Sequence, residues 1–264
     1  MARMTASSFA DVLRFWLGAY PLDAGAMRGV QRQWFQKDGA FDARLCEGFG
    51  ATIAQARAGR LEHWADSADG WLALILVLDQ FMRNAFRGQP DSFAGDPQAL
   101  ALALAGIERG HDQALPPMAR IFCYLPLEHA EDATLQARNV ALFQALRDAP
   151  GAEPRAFFDG TLDYALRHQD VIARFGRFPH RNAILGRTST AAELDYLAQP
   201  GRGSDASAAW RMTSLRFDDQ GVVGPAGAAG VMGLNAKRWR RPQGPSPFAS
   251  KKWRRRLSGK RRQL

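Results

Sequence analysis

Apolar residues recur at three- and four-residue steps along most of residues 1–198. Phe9, Val12, Leu13 and Trp16 share one helical face, with Ser7 or Ser8 placed as a cap and Gly18 and Pro21 as the stop. Phe41, Leu45, Phe49 and Ile53 mark a second helix, capped by Asp38 and ended by Gly59. From Ala68 to about Asn84 the pattern changes: Trp71 to Leu78 is apolar on every face, which predicts a central helix surrounded by others. Asp96-Pro97 reads as a cap and first-turn proline for a helix to Arg109. Pro116-Pro117 opens another that is expected to stop near Leu125-Pro126, since proline cannot donate to the preceding turn and so cannot continue the helix. Amphipathic stretches follow over Glu128 to Asp148 and from Glu153-Pro154 to about Arg174. Thr190 and Glu193 form a capping box ahead of Leu194 and Leu197. No pair of alternating segments suggests a sheet. The expectation is an all-α domain of eight to ten helices over 1–198, packed as antiparallel neighbours.

After Gln199-Pro200 the texture changes to Gly, Ala and Ser, then to basic clusters interleaved with Trp239, Phe248 and Trp253. So little apolar surface cannot offset chain entropy, and residues 199–264 are expected to be a separate, disordered tail. Composition sharpens this division. The formal charge of +9 invites a nucleic-acid reading. However, residues 199–264 hold 15 basic and 3 acidic residues, net +12, leaving 20 basic and 23 acidic in 1–198, net −3. Attraction to nucleic acid or anionic lipid is therefore assigned to the tail, residues 237–262. An Arg-, Gly-, Pro- and Trp-rich stretch is also what an alternative frame of a GC-rich gene encodes. Cys46 and Cys123 are too few for a disulfide scaffold and fit a reduced, cytoplasmic setting. The longest apolar run is too short to span a bilayer, so no transmembrane segment is expected.

Three stretches concentrate chemistry. Asp79-Gln80-Phe81-Met82-Arg83-Asn84-Ala85-Phe86-Arg87-Gly88 and Gly176-Arg177-Phe178-Pro179-His180-Arg181-Asn182-Ala183-Ile184-Leu185-Gly186-Arg187 share Phe, then Arg-Asn-Ala, then an Arg beside Gly. Leu125-Pro126-Leu127-Glu128-His129-Ala130-Glu131-Asp132 packs three carboxylates around one histidine, and His168 precedes the second stretch. Buried arginines must find acceptors. Asp79, Glu128, Glu131 and Asp132 are the acceptors on offer. Convergence of Arg83, Asn84, Arg87, Arg177, Arg181 and Asn182 with His129, His168 and His180 would give either an ion-pair network or a pocket for an anionic small molecule or peptide. An acid–base site joining His129 or His180 to Glu131 or Asp132 is the enzymatic alternative. Metal-motif spacing, a Gly-x-Ser-x-Gly elbow, a phosphate loop and a dinucleotide fingerprint are all missing, so no metal or cofactor is expected.

These stretches, with Phe15 to Gly18 and Trp34-Phe35, closely resemble the bacterial domain-of-unknown-function 924 family over about residues 9–198. The resemblance implies a tetratricopeptide-like helical fold and attaches no activity. Met82 stands where the family pattern has proline, and Ala130 where it has serine. The tail has no counterpart in that pattern.

Overall fold

The helix that is apolar on every face sits at the centre. In the computed structural model, which describes residues 7–35, 37–199, 215–218 and 221–225, Trp71 to Leu78 are all buried. All described residues lie in one unit, Met1–Ala226; the unit Gly227–Leu264, and with it the basic stretch 237–262, lies outside them. The central helix runs without a break through α4 (Ala68–Leu76), a π turn (Val77–Phe81) and α5 (Met82–Ala85). Around it pack α1 (Phe9–Leu17), α3 (Gly39–Arg57), α6 (Asp96–Glu108) and α7 (Pro117–Glu128). Their shared core is strongly aromatic: Phe81 meets Phe15, Trp16 and Phe49 edge-on or tilted, and Phe122 meets Trp16 and Trp34. Gly106 lets α6 lie directly on the Trp71 indole, whose N–H donates to the Leu102 carbonyl at 2.7 Å.

The caps fall where the hydrophobic pattern puts them. Ser8 and Asp11 form a capping box on α1, and Gly18 ends it at φ +84°. Asp38 accepts from the Ala40 and Phe41 amides at the start of α3. Thr190 and Glu193 box the start of α10 (Ala191–Leu197).

Three departures have physical reasons. Helix α2 (Ala24–Phe35) is not read from the sequence because its apolar face is sparse: Met27, Val30 and Trp34 hold it to the core, with the Trp34 N–H donating to the Trp16 carbonyl at 2.6 Å. α7 does not stop at Pro126 but continues to Glu128, since the flanking Leu125, Leu127 and Glu128 are buried by tertiary packing that outweighs one lost backbone bond. The following helix, α8 (Ala133–Arg147), therefore starts at the Asp132 cap rather than at Glu128. It packs along α9 (Arg155–Phe175). Later in the chain β1 (Leu215–Asp218) and β2 (Gly221–Pro225) form an antiparallel hairpin, an element the sequence reading did not contain. Its Leu, Phe and Val content suits a short strand pair. The domain itself is all-α, and among the described residues no helix is long and apolar enough to cross a membrane.

Candidate functional site

Asp79 lies in the π turn, where the extra residue per turn re-aims side chains and such turns recur at functional sites. Its carboxylate is 1% exposed. One oxygen lies 2.7 Å from His129 Nδ1 and 3.3 Å from Arg83 Nη2; the other accepts from Gln80 at 2.7 Å. Burial alone would push this carboxyl up, but the His129 ring and the Arg83 guanidinium outweigh it and hold Asp79 well below the usual carboxylate range. An ionised Asp79 only accepts, so His129 Nδ1 carries the proton between them.

His129 is the C-cap of α7, where the unpaired carbonyl end favours positive charge. Arg181 donates from Nη1 to the His129 carbonyl at 3.1 Å and reaches Asp96 at 3.5 Å. Arg83 also bonds both oxygens of Asp96, at 3.0 and 3.1 Å. Both guanidiniums stand over the half-buried Phe93 ring, at 5.3 Å for Arg83 and 4.8 Å for Arg181, and Arg181 also covers Phe178 at 4.5 Å. Burial pushes the Asp96 carboxyl up, the neighbouring negative Asp79 adds to that, and Arg83 pulls only partly back. Two carboxylates in one network are thus driven apart, Asp79 down and Asp96 up.

His168 packs edge-on against Phe178; its Nδ1 donates to the Tyr164 carbonyl at 3.1 Å and lies 3.8 Å from the fully buried Glu128, which accepts from Asn139 at 3.4 Å. His180, half-buried, tilts against the same Phe178 ring at 5.6 Å.

The three chemistry-bearing stretches therefore meet, through Asp79, Arg83, His129 and Arg181, with Glu128 and His168 alongside. Other expected members work elsewhere. Asn84 and Arg87 both bind Asp42, fastening α5 to α3. Asp132 is spent capping α8. Glu131 accepts from the Phe178 amide and from both terminal nitrogens of Arg187; burial pushes it up, but these donors hold it below its usual range. Arg177 grips Glu193 with two bonds of 2.6 and 2.8 Å. Asn182 donates to Ser189 at 3.0 Å. The acid–base pairing expected for His129 is corrected: its carboxylate is Asp79, not Glu131 or Asp132, because those two are committed to the Arg187 loop and a helix start. Asp96 and Phe93 were missed. Asp96 reads from sequence as a cap, yet the N-cap is Gly95 and Asp96 is free to turn toward the arginines. Among the described residues no group of three or more His, Cys, Asp or Glu could hold a metal ion.

The two like-sounding stretches are used alike. The arginine of each Arg-Asn-Ala run, Arg83 or Arg181, goes to Asp96 and Phe93. The following asparagine anchors to a neighbouring element, and the closing arginine, Arg87 or Arg187, forks onto a carboxylate.

The sequence profile of a bacterial family of proteins of unknown function, DUF924, matches residues 12–201. A solved structure of a protein of unknown function from Agrobacterium tumefaciens is 40% identical, with a TM-score of 0.61 over 72% of this chain and 96% of that one. A search of curated proteins finds no match.

Proposed function

The chain belongs to the bacterial DUF924 family, and we propose that its helical domain is a binding module for a small anionic molecule or peptide terminus. The ligand sits at the edge formed by Arg83, Arg181 and Phe93. One observation carries this: two guanidiniums from distant segments share one partly exposed carboxylate, Asp96, and one aromatic face. Two like charges side by side need an anion between them. Asp96 fills that place with a carboxyl whose charge burial disfavours. When it takes a proton, the forked donors of Arg83 and Arg181 turn to an external carboxylate or phosphate. The groups facing Asp96 are Arg83, Arg181, Asp79 and His129, and Asp79 stays ionised over this range.

The test is thermal stabilisation and calorimetry against a panel of carboxylates and phosphates between pH 7 and pH 5. Binding is expected to tighten as pH falls and to weaken in Arg181→Lys, which keeps the charge but loses the planar fork. Absence of stabilisation by every anion across that range overturns the reading. Separately, the charge concentrated in residues 237–262 supports a salt-sensitive contact with phosphate-bearing polymers or lipid. Replacing Lys251, Lys252, Arg254, Arg255 and Arg256 with Gln in the full chain abolishes it and leaves the anion site unchanged. A salt-dependent contact that survives those changes overturns it.

A further inference from the structure

We infer that residues 176–197 are a lid that opens as one unit and carries half of the anion site, Arg181, onto and off the Arg83 edge. The inference rests on the binding reading for what the lid covers, but not for the motion itself.

Accessibility calls for such a motion. Arg83 and Asp96 have 12% and 21% of their side chains exposed, whereas Arg181 keeps 4%. The Arg181 guanidinium stands over the Phe93 ring at 4.8 Å and over the buried Phe178 ring at 4.5 Å. An anion arriving from water can meet Arg83 with little rearrangement. It can meet Arg181 as well only if the Phe178 side withdraws.

The segment is built to withdraw as a body. Its two ends are tied to each other: Arg177 forks onto Glu193 at 2.6 and 2.8 Å and donates to the Thr188 carbonyl at 2.8 Å. Between them Asn182 donates to Ser189, and the Asn182 carbonyl accepts from the Arg187 amide at 2.8 Å. Gly176, at φ +68° just past the last turn of α9, is the pivot. Beneath the segment, Phe178 and Tyr196 pack with Val171 and Ile172 in a small apolar cluster distinct from the main core.

Polar bonds latch it to the α7–α8 corner. Glu131 accepts from the Phe178 amide at 2.8 Å and from Arg187 at 2.7 and 3.0 Å. Arg187 in turn donates to the Phe178 carbonyl at 3.1 Å. One ion pair thus brackets the backbone of the residue that covers Arg181. Both members of the pair are partly exposed, so water competes for the latch. A unit with a small apolar footing and water-reachable ties opens at a lower free energy than the central helix. Opening takes Arg181 off Asp96, an anion pairs with Arg83, and closing lays the second guanidinium and Phe178 over it.

Native-state amide exchange on the full chain tests this, with inorganic phosphate at pH 5 as the ligand probe. The Leu185, Arg187 and Leu194 amides are each hydrogen-bonded within the segment. They are expected to exchange through one shared opening, well before the amides of Leu74 and Ile75 in α4. Glu131→Gln should speed that exchange about 5–30-fold. Unchanged protection of α4 in the variant shows that it is folded. Phosphate at ten times its Kd should slow exchange of the segment by up to about tenfold. Segment amides that exchange only with global unfolding overturn the lid and leave the binding reading standing, as does phosphate that binds without slowing them. Failure of phosphate and every other anion to bind overturns the binding reading and, with it, the role of the lid at that site.

Discussion

Gly95 touches the π turn at its carbonyl, and replacing it with alanine separates two opposed effects by sign. Its backbone (φ −85°, ψ −14°) is open to any residue, so Gly95→Ala would gain about 0.4–1 kcal/mol from a less flexible unfolded chain. Space decides otherwise. A methyl there overlaps the Leu78 carbonyl oxygen and stands 3.0 Å from the Leu78 carbonyl carbon and 3.3 Å from its Cα. These are backbone atoms of a fully surrounded helix, which cannot swing aside as a side-chain tip can. Overpacking of this kind costs about 1–3 kcal/mol. The net is a destabilisation of roughly 1–2 kcal/mol, or a fall in Tm of about 3–8 °C for a domain of this size. Urea denaturation would measure it, with Gly29→Ala as the control: Gly29 is helical with nothing within 4 Å of a built methyl, so alanine should gain roughly 0.5–1 kcal/mol. Relief of the clash by moving the start of α6 also carries Asp96 off Arg83 and Arg181, so anion affinity should change with stability. A Gly95→Ala protein as stable as wild type would refute the close docking of α6 on the π turn.

Three further outcomes follow from the same network. Asp96→Asn removes the competing charge while keeping the shape, and should raise anion affinity at pH 7 by tenfold or more while flattening its pH dependence; a unit charge at 4 Å and an effective dielectric near 20 is worth about 4 kcal/mol, so titration calorimetry has ample range. Asp79→Ala strands a buried histidine and arginine and should cost about 3–5 kcal/mol in urea denaturation. In wild type, because the folded Asp79 carboxyl is held down, its stabilising contribution is present above the unfolded value of about 3.9 and is lost as pH falls through the lower folded value; Asp79→Asn should flatten that acid limb. The Arg177 pair, with the Thr190 amide and Asn182, outweighs burial and holds the Glu193 carboxyl at about 2. That contribution is complete above about 4.5 and lost as pH falls toward 2. Amide exchange in α10 should therefore rise over that window, and Glu193→Gln should abolish the pH dependence.

Much of the helical scaffold can be read from the chain because its determinants are local. A hydroxyl or carboxylate three residues before a helix-start amide, as at Ser8, Asp38 and Thr190, needs no tertiary partner to be recognised. Trp71 to Leu78 announces a buried helix because no face of it can be left to water. What stayed hidden is set by three-dimensional neighbours. Whether Pro126 ends a helix depends on what buries Leu127 and Glu128. Whether His129 chooses Asp79 or the nearer Glu131 depends on a π turn that hydrophobic periodicity does not encode. Asp42 and Asp96 each sit in a helix's first turn, where a carboxylate can serve its own backbone or a distant arginine. Sequence spacing presents both options equally.

The arginines of the two Arg-Asn-Ala stretches are paired in two different ways. If each arginine only needed neutralising, each would be complete with a carboxylate of its own, as Arg87 is with Asp42 and Arg187 with Glu131. Arg83 and Arg181 instead converge, sharing Asp96 and the Phe93 face. Bringing two guanidiniums together costs repulsion that separate pairing would avoid. It also takes a carboxyl whose charge its burial opposes. A scaffold selected for stability alone gains nothing from that arrangement. The proposed anion-binding surface would gain from it, and the asparagines and closing arginines of both stretches supply the rigid frame around it.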